Sequence, residues 1–267
     1  MKLFSHLRVS SEFSITQGLL TIDQIVDNAV ENSVPSVALT DKSNMFGLVK
    51  FFNKCESAGI KPISGSSIRL IFEDDDISYE LLCLAKTNNG HRNLMKIISN
   101  AHNNNSFNLP IIKFNDLIKL KDDIVVISGG KGSHIFEYLK LGNTPEAVSR
   151  IDNFRNHFGD DFVIDIQMTN RLDEMEYIKN VLPISKDKGI PLIATNDVLF
   201  SKQEDFDIHE TKVCINTGKT LNDPNRQKIF SEEQYFKSPE EIIELFKDYD
   251  SLIELSLIHI SEPTRLT

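Results

Sequence analysis

The stretch TIDQIVDNAVENSVPSVALT, residues 21–40, sets one helix before one strand, and that succession decides the architecture. The Thr21 side chain can accept from a first-turn N–H, and Ile22, Ile25, Val26, Ala29 and Val30 then recur at helical spacing. Pro35 stops that period, and Ser36 to Thr40 follows as an apolar run of strand length. The same alternation continues outward. Strand candidates are Leu3 to Val9, Ser36 to Thr40, Ile68 to Phe72, Tyr79 to Ala85, Ile124 to Ser128, Phe162 to Gln167 and Pro191 to Thr195. Further helices are expected at Phe46 to Ala58, stopped by Gly59, and near His91 to Asn103, Pro145 to His157, Asp173 to Lys188, Glu204 to Asn216 and Pro239 to Phe246. Repeated βα units predict an α/β fold around a parallel sheet or barrel, although periodicity alone does not close the sheet.

A chain of 267 residues, 40% hydrophobic and 25% charged, can bury one substantial core. Its net charge of -10 argues against DNA binding by this chain alone, because such affinity comes mostly from Lys and Arg displacing counterions. No run approaches the roughly 20 apolar residues of a membrane span, and Ser5 and His6 interrupt any signal-like start. Cys55, Cys83 and Cys214 form no CxxC pair and read as reduced thiols of a cytoplasmic protein.

Several stretches carry more specific information. They are His6-Leu7-Arg8-Val9-Ser10-Ser11-Glu12-Phe13-Ser14, Thr40-Asp41-Lys42-Ser43-Asn44-Met45-Phe46-Gly47, the turn Gly59 to Gly65, Leu84 to Leu94, and Ala194-Thr195-Asn196-Asp197-Val198-Leu199. Together with Phe46 to Phe52 and Asp205-Phe206-Asp207-Ile208-His209-Glu210, they resemble the N-terminal PHP (polymerase and histidinol phosphatase) domain of bacterial DNA polymerase III alpha subunits. The resemblance covers residues 3 to 254 in order. It implies a distorted seven-stranded (β/α) barrel, with an extension toward a polymerase core from about residue 201.

Active members of that family hold a metal cluster, and the resemblance projects their ligands onto Arg8, Ser10, Gln17, Lys42, Ser67, Glu80, Gly130, Asp197 and Leu199. Only Asp197 is retained, and Glu80 could still offer oxygen. Arg cannot give up its proton to bind a metal, and a Ser hydroxyl is a poor substitute for imidazole. The expectation is therefore a vestigial site with no catalytic residue, no bound metal or cofactor, and the cations Arg8 and Lys42 paired with the two carboxylates.

Other features receive plainer readings. His6 is expected to be a hydrogen-bonded structural residue and His209 a packing or capping residue, with His91, His102, His134 and His157 at the surface. Ser128-Gly129-Gly130-Lys131-Gly132 lacks the order of a phosphate loop and reads as a strand-to-helix turn. Asp74-Asp75-Asp76 and Asn103-Asn104-Asn105 read as solvated turns, and Asn216 to Ser231 as an irregular excursion.

The resemblance implies that the complete protein is a replicative DNA polymerase, a nucleotidyltransferase using Mg²⁺, whose catalytic carboxylates lie outside this fragment. It further implies a PHP domain that supports the polymerase core and docks the separate proofreading exonuclease subunit, among other holoenzyme subunits. DNA would be reached only through the missing part. The alternatives are a metal-dependent phosphoesterase or 3′-5′ exonuclease, and a free-standing non-catalytic PHP-like binding protein. Residues 255–267, LSLIHISEPTRLT, resemble read-through of a sequencing adapter and are set aside as a non-native tail.

Overall fold

The computed structural model describes residues 4–103 and 109–249, so the expected tail at 255–267 lies outside the described residues. Helix α1 (Ile22–Glu31) begins on Thr21, whose hydroxyl accepts from the Gln24 N–H while the Gln24 side chain accepts from the Thr21 N–H. Ile22, Ile25, Val26 and Ala29 are buried by it. Val30, on the flank of that stripe, stays 49% exposed. Helix α2 (Leu48–Ala58) ends at Gly59, whose φ of 71° closes the cap.

The strands are β1 (Ser36–Leu39), β2 (Lys61–Ile71), β3 (Tyr79–Ala85), β4 (Ile111–Lys113), β5 (Ile124–Ser128), β6 (Phe162–Gln167) and β7 (Leu192–Thr195). They form one seven-stranded sheet in the order β1-β2-β3-β5-β6-β7, with β4 added beside β2. The sheet is mixed, which corrects the parallel expectation: β3 runs antiparallel to both β2 and β5. Only residues 72–78 separate β2 from β3, enough for a hairpin return but not for a parallel crossover of about a dozen residues or more.

Strand β2 also starts earlier than expected, so most of the Gly59 to Gly65 turn is in fact strand. Its first half pairs with β1 and its second half with β3, and Gly65 lies at the change of partner. A Cβ on Gly65 would stand 2.5 Å from a Leu84 methyl and 2.8 Å from the Thr40 methyl.

The end strands β1 and β7 are joined through residues 6–10. Ala38 N–H donates to His6 O at 2.8 Å and Thr40 N–H to Val9 O at 2.9 Å. On the other side Ser10 N–H donates to Val198 O at 3.0 Å, and Val198 N–H to Arg8 O at 3.1 Å. The sheet thus curls into a barrel. Of the expected strand Leu3 to Val9, the described residues 4–9 form only isolated bridges, His6 with Val37 and Val9 with Val198. Leu7 joins the interior apolar cluster while its neighbour Arg8 reaches the interior Asp165, and a regular strand cannot send two consecutive side chains to one face.

Alternation sorts the apolar residues into layers. Leu82, Leu84, Val125, Ile127, Val163 and Ile193 fill the barrel, while Leu81, Cys83, Ile124, Val126, Phe162, Ile164 and Ile166 face outward against helices. Those outer helices are α3 (Asn88–Asn103), α4 (Phe114–Ile118), α5 (His134–Lys140), α6 (Thr144–Phe158), α7 (Glu174–Lys188), α8 (Phe206–Thr217) and α9 (Pro239–Leu245). The short elements β4, α4 and α5 went unread in the sequence because none is long enough to display a period. Cys55, Cys83 and Cys214 are all free and buried. Among the described residues no helix is long and apolar enough to cross a membrane.

Candidate functional site: a barrel mouth filled with ion pairs

At the carboxyl ends of the parallel strands the interior face changes from apolar to polar. Along β6 the inward positions run Val163, Asp165, Gln167, and along β7 they run Ile193, Thr195. Glu80 enters the same layer from the start of the antiparallel β3.

Asp165 is fully buried and every lone-pair direction is used. One carboxylate oxygen accepts from Ser128 Oγ at 2.6 Å and from the Gly130 N–H at 2.9 Å. The other accepts from Arg8 Nη2 at 3.3 Å, Gln167 Nε2 at 3.1 Å and Thr195 Oγ1 at 3.1 Å. Arg8 Nη2 also donates to Ser128 O at 3.1 Å. Burial works against the Arg8 charge, but Asp165, Asp197 and Glu80 outweigh it and hold its pKa above the usual arginine value.

Lys42 and Glu80 form the second pair, with Nζ 2.5 Å from Oε1. Burial alone would raise Glu80; Lys42, followed by Arg8 and Arg69, instead brings it down to about 2. Beside them Asp41 accepts from the Ser11 N–H, Ser11 Oγ and Ser14 Oγ at 2.8, 2.7 and 2.6 Å, which fixes the loop between residues 11 and 14. Burial dominates there and raises Asp41.

Arg171 forms the third centre. Its guanidinium donates to Glu174 Oε1 at 2.9 Å, Thr169 Oγ1 at 2.8 Å, Gln167 Oε1 at 2.5 Å and Asp197 Oδ2 at 3.3 Å. Gln234 Nε2 donates to the same Asp197 oxygen at 2.9 Å. The loop that carries Arg171 holds Asn170 and Asp173 at φ of 56° and 69°.

The structure therefore redistributes the expected site. Arg8 pairs with Asp165, and Asp197 pairs with Arg171, neither partner having been read from the sequence. Gly130 takes φ 55°, and a Cβ there would lie 2.5 Å from Gln167 Nε2, so Gln167 fills the space a ligand side chain would need. Ser10, Gln17, Ser67 and Leu199 are buried in the rim. Asp165 and Gln167 had a legible signal, since they put polar groups at alternate positions of the otherwise apolar run FVIDIQ. Arg171, Glu174 and Gln234 lie in loops or at a helix start and had none.

Other sequence readings are settled at the same time. His6 is buried, with Nε2 2.8 Å from Lys237 O, and His209 packs among Phe200, Phe206 and Phe230. His134 corrects its surface assignment. It is 1% exposed, stacked on Phe154, and neither ring nitrogen has a hydrogen-bond partner among the described residues. Asp74 and Asp75 are more than a solvated turn, because Arg150, stacked over Phe72, holds both at 3.0 and 3.2 Å.

A divalent cluster needs several deprotonated His, Cys, Asp or Glu side chains with free lone pairs. Among the described residues no three such groups come together in a way that could hold a metal ion. Asp165 spends both oxygens on five donors, Asp197 is engaged by Arg171 and Gln234, and two cations occupy the expected ligand positions. The residues present do not fit a metal cluster.

Comparisons with known proteins bear on the family and the fold. A sequence model of the PHP domain family matches residues 6–169. DNA polymerase III subunit alpha of Pasteurella multocida is 36% identical over 256 residues, spanning 96% of this chain and 22% of the relative. The corresponding subunit of Pseudomonas aeruginosa is 37% identical over 253 residues, 94% of this chain and 22% of the relative. The chain thus spans about a fifth of the length of the curated relatives it matches. Among solved structures, a protein of Bifidobacterium adolescentis described as a metal-dependent phosphoesterase superposes with a TM-score of 0.53 at 12% identity, covering 92% of this chain and 97% of the other. That likeness carries the fold alone.

Proposed function

This chain belongs to the PHP domain family, and from that premise we propose that it is the PHP domain of a DNA polymerase III alpha subunit, retained as a metal-free scaffold. In this reading residues 1–254 support a polymerase core, with the extension toward it starting near residue 201, and dock the separate proofreading exonuclease subunit. The complete protein is a cytoplasmic DNA-directed DNA polymerase. Its catalytic carboxylates, its Mg²⁺ and its DNA contacts belong to parts beyond this domain.

The observation that supports the scaffold reading is the Arg8–Asp165 pair at the barrel mouth. A guanidinium there supplies fixed positive charge to a buried carboxylate, a task a metal would otherwise perform, and it has no lone pair with which to bind one. Hydrolysis of a phosphate ester would need a metal-activated water or another activated nucleophile, and the mouth carboxylates Asp165, Asp197 and Glu80 are each held by a cation while Asp41 is held by Ser11 and Ser14.

The test is metal analysis of purified chain together with a binding assay against the exonuclease subunit. The expected result is no stoichiometric metal, no metal-stimulated phosphoesterase activity, and binding of the exonuclease. Near-stoichiometric Zn, Mn or Fe with phosphate release abolished in Asp197→Ala would overturn the scaffold reading.

A further inference from the structure

We infer that the groove between Ser43–Phe46 and helix α3 is a docking site for a short segment of a partner protein that carries apolar anchors among carboxylates. The groove has a volume of about 510 Å³ and is lined by Met45, Phe46, Met95 and Ile98, with Ser43 and His102 at its join. Phe46 is 73% exposed and Met95 44% exposed. Methionine side chains are flexible and polarizable, which suits a surface that receives another protein's apolar residues.

The walls are held in place before anything binds. His102 Nε2 lies 2.8 Å from Ser43 O, tying α3 to the opposite wall. Asn44 donates from Nδ2 to Phe13 O at 3.1 Å and to Lys42 O at 3.0 Å, and its Oδ1 accepts from the Phe46 N–H at 3.2 Å. The exposed Phe46 ring therefore projects from a fixed turn, so little ordering entropy is lost on binding there.

Charge identifies the occupant. The chain carries 39 acidic against 29 basic residues, yet Leu81 to Asn115 contains no aspartate or glutamate, and neither does Lys42 to Cys55. Both walls come from these acid-free stretches. On α3, Ser99 and Asn103 line the groove, and the helical row they belong to continues beyond it through Lys96 and Arg92, which make no ion pair among the described residues. An acidic segment is repelled by most of this molecule and attracted to the cations flanking this groove, which favours its place there.

The inference rests on the reading that the exonuclease subunit docks on this domain, and that subunit is the probe. Calorimetric titration of the full 267-residue chain with it, at low and at moderate NaCl, is repeated with Phe46→Glu and Lys96→Glu, and circular dichroism verifies that both variants fold. Each variant is expected to weaken binding by about tenfold or more, and added salt is expected to weaken the wild type more than Lys96→Glu. Wild-type affinity in both variants would place the exonuclease elsewhere and overturn the groove while leaving the docking reading intact. Absence of binding by the wild-type chain would remove the docking reading, and the groove assignment with it. A wild-type dimer dispersed by Phe46→Glu would give the groove to a second copy and likewise overturn the inference.

Discussion

Lys42 Nζ lies 2.5 Å from Glu80 Oε1, so a cation from the loop after β1 neutralises a carboxylate at the start of β3. Burial raises Glu80, and Lys42 with Arg8 and Arg69 reverses that, holding it at about 2. An ordinary glutamate titrates near about 4.3. The folded value lies below the unfolded one, so the stabilisation is complete above the unfolded value and is lost as pH falls through about 2. In Lys42→Met the Glu80 carboxylate is expected to titrate at a higher pH, read by carbon NMR of the side-chain carboxyl. An unshifted titration would mean that Arg8 and Arg69 suffice without Lys42.

Buried imidazoles add acid sensitivity at a higher pH. Burial lowers His134 to about 3 and His6 to about 4. Unfolded imidazoles take up protons near about 6.5, so between those values the unfolded state binds more protons and stability falls as pH falls. For His134 the loss between pH 7 and pH 5 is about 2 kcal/mol. His134→Phe keeps the stacking on Phe154 and is expected to remove that share, leaving the part due to His6 and to His209 and His91, which burial also lowers. Urea unfolding at the two pH values measures it. Equal pH losses in wild type and variant would count against a neutral buried His134.

How much of this was legible depended on the length of the signal. Helix α1 was readable at its first residue, because Thr21, Gln24 and the apolar stripe are all local. The strand before it was not. Leu3 to Val9 reads as a regular strand, but Arg8 turns inward toward a partner 157 positions away, a demand no local pattern encodes. The reversal of β3 was available in principle from the short span between Ile71 and Tyr79. At the site, residue types alone put the cations Arg8 and Lys42 at expected ligand positions, whereas Arg171 and Gln234 became visible only when the fold brought separated loops to Asp197.

Gly129 links the strand-to-helix turn to the pair discussed first. A Cβ there would lie 2.0 Å from the Glu80 carbonyl oxygen and 2.4 Å from its carbon, so β3 and the turn would have to separate. Gly129→Ala is expected to cost about 3 kcal/mol, the upper range of overpacking penalties, because the obstacle is backbone. Gly142 supplies the control: its φ is 73° with nothing within 4 Å, so Gly142→Ala carries only the left-handed strain of about 1 kcal/mol. Thermal unfolding of both variants compares them, and a Gly129→Ala protein as stable as Gly142→Ala would refute the close approach.

The Arg8–Asp165 pair offers the sharpest energetic test, since its side chains are 5% and 0% exposed. Arg8→Met leaves Asp165 with its neutral donors Ser128, Gln167, Thr195 and the Gly130 N–H but no countercharge. Asp165→Leu leaves Arg8 facing Asp197 and Glu80 across a less favourable geometry, with Ser128 O as its remaining acceptor. Breaking a buried pair from one side costs about 3–5 kcal/mol, whereas replacing both charges with apolar side chains costs much less. The double variant is therefore expected to be more stable than the sum of the two single losses predicts, by about 2 kcal/mol or more. Urea unfolding of the four proteins gives the coupling energy directly. Additive losses would mean that each charge is held by its other neighbours and that the barrel mouth does not depend on this pair.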